Sequence, residues 1–306
     1  MAMTLRGPKA RWRGLAGAVR LGAGVLLAAN FARAAAPEVR LVGSDLLGLP
    51  FTQALHAFGA AEGIRIATAL DGSRPAVQEL RAGRADIGLL ALPADERFAD
   101  SEFASVPLAY FCAVAIVPAA CPLRQIAFEE LVGVFGESGA ARRERWGDLG
   151  LEGEWAGSTI VASTPEFDVG LAEEMFRHRV LRGRPLKSNV ERYADFAALA
   201  RRSSSTAQIL ALGSHLPAEA RELRVLAIAP DRNSPAALPE SSAVHAGAYP
   251  LQQPVHVVFR RSTVGATRPV VRFLLGEAAA RALEASGVVT APREVRSDTL
   301  AEVETM

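Results

Sequence analysis

Two short stretches place a serine beside a charged residue just where an apolar run ends. Ser44 and Asp45 follow the run Val39 to Val42 and precede Leu46, while Ser73 and Arg74 follow Ile64 to Ala69 across the turn Asp71-Gly72. A hydroxyl, a guanidinium and the backbone N–H groups that open a following helix are donors suited to an anion. The same serines would equally serve as helix caps, and spacing leaves both readings open. Other chemistry finds less support. The chain holds no Walker-type phosphate loop, no GxGxxG, no HExxH and no GxSxG. His56, His178, His215, His245 and His256 fall at no metal-ligand spacing. The adjacent acids Glu129-Glu130 and Glu173-Glu174 read as solvated helix faces. No catalytic residue, metal or cofactor is therefore expected, and the protein is not expected to be an enzyme.

The elements that must hold these loops alternate along the chain. Val39 to Val42 reads as a strand. Pro50 to Ala61 reads as a helix, because Phe51, Leu55 and Phe58 recur at helical spacing before Gly63 breaks it. Ile64 to Ala69, a helix from Pro75 to Ala82 and a strand over Arg84 to Leu90 complete a βαβαβ unit, which argues for a parallel sheet covered by helices. Val106 to Val117 is an apolar run long enough to cross between two domains. Beyond it the pattern gives helices at Phe128 to Phe135 and Glu166 to Leu181, strands at Ile160 to Ala162, Gln208 to Leu212, Val225 to Ala229 and Val255 to Arg260, and one helix over Arg268 to Ser286. The last segment, 293–306, is charged and poor in large apolar residues, and is expected to be a frayed tail. Ser203 to Thr206 reads as a solvated loop.

Charge and the N-terminus bound the setting. With 34 Lys+Arg against 33 Asp+Glu there is no basic surplus for a nucleic-acid backbone. Residues 1–36 run from a basic start (Arg6, Lys9, Arg11, Arg13, Arg20) through a short apolar stretch, Leu21 to Phe31, to the small-residue exit Ala32-Arg33-Ala34. That is the order of a cleaved secretory signal peptide. The apolar stretch is too short to span a bilayer, so a periplasmic protein without stable membrane insertion is expected. Export would permit a Cys112–Cys121 bridge, whereas the apolar run around Cys112 favours a buried thiol. Both readings stand.

Several segments together resemble the phosphate-type solute-binding proteins of ABC transporters. They are FEELVGVFGESGAARRERWGDLG, Tyr249-Pro250-Leu251 followed by PVHVVFRR, RFLLGEAAARALEASGVV, and the opening GSDLLGLPFTQALHAF with LRAGRADIGLL. The resemblance covers about Val39 to Ala291. It implies a two-lobe α/β fold of the periplasmic-binding-protein type (type II), each lobe a mostly parallel sheet covered by helices. Lobe 1 would comprise 37–112 plus 250–292 and lobe 2 113–249, joined by crossing strands at Val106 to Val117 and Val255 to Phe259. The implied function is capture of a small anion, phosphate among the candidates, for delivery to an ABC permease by a monomer. Carried over residue by residue, the first-lobe ligand positions are Ser44, Asp45, Leu46, Ser73 and Arg74.

The chain departs from that family where the ligand would sit. Ala91-Leu92 replaces a polar pair, and STPEFDVGLAEEMF lacks the second-lobe Arg and Ser-Gly-Thr. Ser163 and Thr164 remain as second-lobe donors, and Glu166 and Asp168 would repel a phosphate dianion. These departures motivate a second expectation, a sensor or protein-interaction module on the same scaffold that is indifferent to solute.

Overall fold

The computed structural model describes residues 37–93, 96, 98–137, 142–166, 171–199, 201 and 208–306. Residues 1–36, read above as a signal peptide, Asp168 and the serine run 203–206 lie outside the described residues. The first unit forms as the apolar pattern dictates. Strand β1 (Glu38–Gly43), helix α1 (Leu49–Glu62), β2 (Arg65–Ala69), helix α2 (Ser73–Arg81) and β3 (Ile87–Leu90) alternate. Helix α1 has Pro50 in its first turn and buries Phe51 and Leu55; it stops at Gly63, whose φ of 66° is the left-handed value that glycine adopts most readily.

The apolar run that follows is two strands, β4 (Phe103–Cys112) and β5 (Val114–Pro118), separated by Ala113 alone. β4 belongs to a six-stranded sheet with β1, β2, β3, β12 (Gln252–Arg260) and β13 (Val289–Thr290). β5 belongs to a five-stranded sheet with β7 (Val161–Pro165), β8 (Glu191–Tyr193), β9 (Ile209–Gly213) and β10 (Leu223–Val225). A two-stranded sheet pairs β6 (Gln125–Ala127) with β11 (Ala227–Ala229). Helices α3 (Phe128–Phe135), α4 (Ala172–Arg179) and the short α5 (Ser241–His245) lie between these strands in the chain.

Three features differ from the sequence pattern. The sheets are mixed, not mostly parallel. β1 is parallel to β2 and β3, but β12 is antiparallel to both β3 and β4; likewise β7 is parallel to β8 and β9, while β5 runs antiparallel to its neighbours. A chain that leaves one sheet and later returns supplies strands of opposite direction to each. The long C-terminal helix is two, α6 (Val264–Leu275) and α7 (Glu277–Glu284), because Gly276 is extended (φ −83°, ψ 169°) and ends one while opening the other. The expected frayed tail is instead helix α8 (Arg293–Thr305). Val303 is fully buried, and the nearly buried Arg296 donates to the carbonyls of Ala291 and Leu275 and to the Glu277 carboxylate. Few large apolar residues are needed when one valine and one arginine stem supply the packing.

Cys112 and Cys121 are free and buried. Burial pushes the Cys112 thiol up to about 12. No helix among the described residues is long and apolar enough to cross a membrane.

Candidate functional site

The three parallel strands β1, β2 and β3 end side by side, and their loops are tied to one another. The Ser44 N–H donates to Leu89 O at 2.9 Å, the Gly72 N–H to Gly43 O at 2.9 Å, and the Ala91 N–H to Ser73 Oγ at 2.8 Å. Gly43 is required at this junction. A Cβ there would lie 2.3 Å from the Leu89 carbonyl oxygen, so any larger residue would push β1 away from β3. Crevices outside the carboxyl ends of such strands are where open α/β sheets bind ligands.

A cleft of about 690 Å3 opens at that point. Ser44, Asp45, Leu46, Ser73 and Arg74 all line it, together with Ala91, Leu92 and Glu96 from the end of β3 and Gln253 from β12. Its opposite wall is helix α4, preceded by Leu171. Glu174, Met175, His178 and Arg179 present a single face, as spacings of one, four and five residues require.

Both serines act in part as structural hydroxyls. Ser44 is buried and its Oγ accepts from the Leu46 N–H at 3.3 Å, capping the short 3-10 turn 45–47. Ser73 opens α2 and accepts the Ala91 N–H, which leaves its own hydroxyl hydrogen for another acceptor. Arg74 makes a two-pronged pair with Glu96, Nε to Oε2 at 3.0 Å and Nη2 to Oε1 at 2.7 Å, which holds the Glu96 carboxyl below its usual range. Arg179 differs. It donates from Nη1 to the Pro250 carbonyl at 3.0 Å, and partial burial pulls its guanidinium down from its ordinary value.

The second-lobe expectation is corrected. Ser163 and Thr164 are buried inside β7 and line no part of the cleft. The strand runs on to Pro165, in register with Tyr193, so the loop begins three residues later than the pattern suggested. Thr164 Oγ1 has no hydrogen-bond partner. Glu166 lies in a shallow depression with Glu173, Glu174, Arg177 and Arg192, and of these five only Glu174 also lines the cleft. Glu174, read from the sequence as part of a solvated helix face, and His178, read only as no metal ligand, line the cleft with Arg179 and Glu96, which carried no expectation. For the first three a signal existed: Glu174 and His178 stand one turn apart, and Arg179 one turn after Met175, at the border of the apolar face formed by Ala172, Met175 and Phe176.

Two guanidinium groups, Arg74 and Arg179, and three carboxylates, Asp45, Glu96 and Glu174, therefore share one cleft with His178. Among the described residues no group of three or more His, Cys, Asp or Glu is placed to hold a metal ion.

Two mixed sheets linked where β4 passes through Ala113 into β5, with a cleft at the strand ends, make this a mixed α/β fold of the periplasmic-binding-protein-like kind; the expected return crossing strand, Val255 to Phe259, instead lies wholly in the six-stranded sheet, paired with β3 and β4. Solved structures with the same architecture include a possible phosphate binding protein from Planctomyces limnophilus, with TM-score 0.65 and 14% identity over 88% of this chain and 97% of that one. A PstS from Borrelia burgdorferi matches with TM-score 0.63 and 12% identity over 84% of this chain and 99% of the other. An ABC-type phosphate transport receptor from Vibrio cholerae matches with TM-score 0.58 and 16% identity, covering 82% and 99%. At such identities the likeness is one of fold. No family model matches the sequence, and no curated protein matches it.

Proposed function

We propose that this protein is an exported solute-binding protein that captures a small anion in the cleft and presents it to an ABC permease, binding its ligand without turning it over. The observation that carries the reading is the opposition of Arg179 on α4 to Ser73 and Arg74 at the start of α2, so that donors from both sheets meet in one cleft. Residues 1–36, read as a signal peptide, support a periplasmic location, and the fold shared with phosphate receptors supports an oxoanion as the ligand. Ser44, Asp45 and Leu46 would form the floor between the donors. Phosphate is the first solute to test.

Thermal unfolding of the mature protein, dialysed free of anions, gives the measurement. A ligand at 100 times its dissociation constant adds about 2.7 kcal/mol of stability. We expect an upward shift with millimolar phosphate that is lost in Arg179→Ala. Absence of any shift would remove inorganic phosphate as the ligand.

A second reading, a module that contacts a partner protein and is indifferent to solute, draws on a different observation. Arg74 is already engaged by Glu96, and carboxylates outnumber guanidinium groups in the cleft. Recovery of the same partner with and without added anions, together with no anion-dependent shift, would favour it.

A further inference from the structure

A second cavity, of about 440 Å3, lies against the first. Asp45, Leu46 and Leu171 line both, so the two spaces adjoin across these three residues. Their chemistry differs. The first presents the guanidinium and carboxylate groups described above, whereas the second is walled mainly by Phe111, Tyr193, Phe196, His215 and Val288, with Asp195 and the shared Asp45 as its carboxylates. Phe196 joins two of its neighbours into a continuous ring surface, with centroids 6.0 Å from Tyr193 and 5.5 Å from His215. The Tyr193 hydroxyl is committed to the Leu212 carbonyl at 2.6 Å, so what this tyrosine offers the cavity is its ring.

We propose that the ligand of this cleft is an organic phosphonate or phosphate monoester whose oxoanion head meets Arg179 and Ser73 and whose flat apolar body passes Leu46 and Leu171 into the aromatic cavity. The proposal rests on the anion-capture reading above and specifies its substrate class. Two physical arguments carry it. Three carboxylates against two guanidinium groups make the polar compartment a poor trap for a small, highly charged ion, because each carboxylate acts on the anion with the opposite sign to each arginine. Useful affinity must then come from apolar contact, and the aromatic walls next door supply the surface for it. The combined space is also of the size that encloses an organic molecule, and a bare oxoanion would leave the aromatic compartment unused. Burial lowers the His215 pKa from its ordinary value, which favours a neutral ring beside an apolar group.

Isothermal titration of the purified protein with inorganic phosphate, methylphosphonate and phenylphosphonate tests this. Phenylphosphonate should bind at least about tenfold more tightly than methylphosphonate. That preference should collapse toward parity in Ala194→Trp, which fills the cavity from an exposed loop residue, and in Phe196→Ala, which removes part of its wall. Equal affinity for the two phosphonates in the unmodified protein would overturn the proposal while leaving anion capture intact. A preference that survives in both variants, each shown to be folded, would overturn it as well. Failure of all three anions to bind would sink this proposal and the anion-capture reading together.

Discussion

Tyr249 donates its phenolic hydrogen bond to the carbonyl of Ala113 at 2.6 Å, and Ala113 is the single residue between β4 and β5. The N–H of the same residue donates to Leu251 O at 2.9 Å. Both backbone polar groups at the outward crossing are thus tied to the chain just before it enters β12 on its return. A closing motion of one sheet toward the other would have to turn about this junction, in the manner of a hinge. Short, paired crossings give such a motion a defined axis.

Tyr249→Phe keeps the ring and deletes the donor. Because Tyr249 is fully buried, the Ala113 carbonyl would be left without that partner in a dry setting, at a cost of about 1–2 kcal/mol. Urea unfolding should show a lower midpoint with an unchanged slope, and exchange of the Ala113 amide should quicken. An unchanged midpoint would mean that the bond contributes nothing net.

The crossing itself was legible in the sequence because twelve mainly apolar residues, Val106 to Val117, exceed what one strand of a small sheet needs. Likewise Ser44 and Ser73 could be placed at the cleft, since their strands end in turn residues and are followed by helices with clear apolar spacing. What escaped notice has physical causes. The inward face of α4 is marked by Ala172, Met175 and Phe176, but which of the charged residues flanking that face meet the first lobe depends on how the helix is placed against the other sheet, which its own residues do not encode. Ser163 and Thr164 were misplaced by the length of β7, because strand ends are set by pairing with β8 and β9 and not by local residue type. The direction of β12 and β5 relative to their neighbours is a property of the chain's path between sheets, which periodicity does not encode.

The C-terminal helix α8 gives a second prediction. Its Arg296 bridges Ala291, Leu275 and Glu277, joining α8 to the ends of α6 and α7, and Val303 is fully buried beneath the last turn. Removing residues 293–306 should lower the melting temperature well beyond what loss of a solvated tail would do. Arg296→Ala alone should cost about 2 kcal/mol, since it strands two carbonyl acceptors in a buried setting. A truncated protein that melts with the full-length one would restore the frayed-tail expectation.

His215 makes stability depend on pH. Burial lowers its pKa from the ordinary 6.5, partly offset by Glu219. The unfolded chain then takes up the proton more readily than the folded one. The stabilisation is fully present above the unfolded value and declines as pH falls from there through the depressed folded value. An imidazole titration by NMR should place His215 below the ordinary histidine value of 6.5, and His215→Gln should flatten the acid limb of a melting-temperature profile. A His215 midpoint at or above that of an exposed histidine would contradict this account.

The pairing of Arg74 with Glu96 inside the cleft leads to a charge prediction with an unusual sign. Removing an acid that salt-bridges a binding arginine often damages a site, because the arginine loses its orientation. Here the pair is largely exposed, with Arg74 at 75% and Glu96 at 40% side-chain exposure, so Glu96→Gln should leave the fold intact. The substitution deletes one negative charge from the cleft and loosens the two-pronged hold on the Arg74 guanidinium. Binding of an anionic ligand should therefore tighten, roughly three- to tenfold at low ionic strength, and the gain should shrink as salt rises. As pH falls through the lowered Glu96 value that carboxylate is neutralised in the unmodified protein, so the difference between the two proteins should disappear. Weaker binding in Glu96→Gln would show that the Arg74–Glu96 pair is itself the recognition surface, one that reads a ligand carrying a hydrogen-bond donor beside its anionic group.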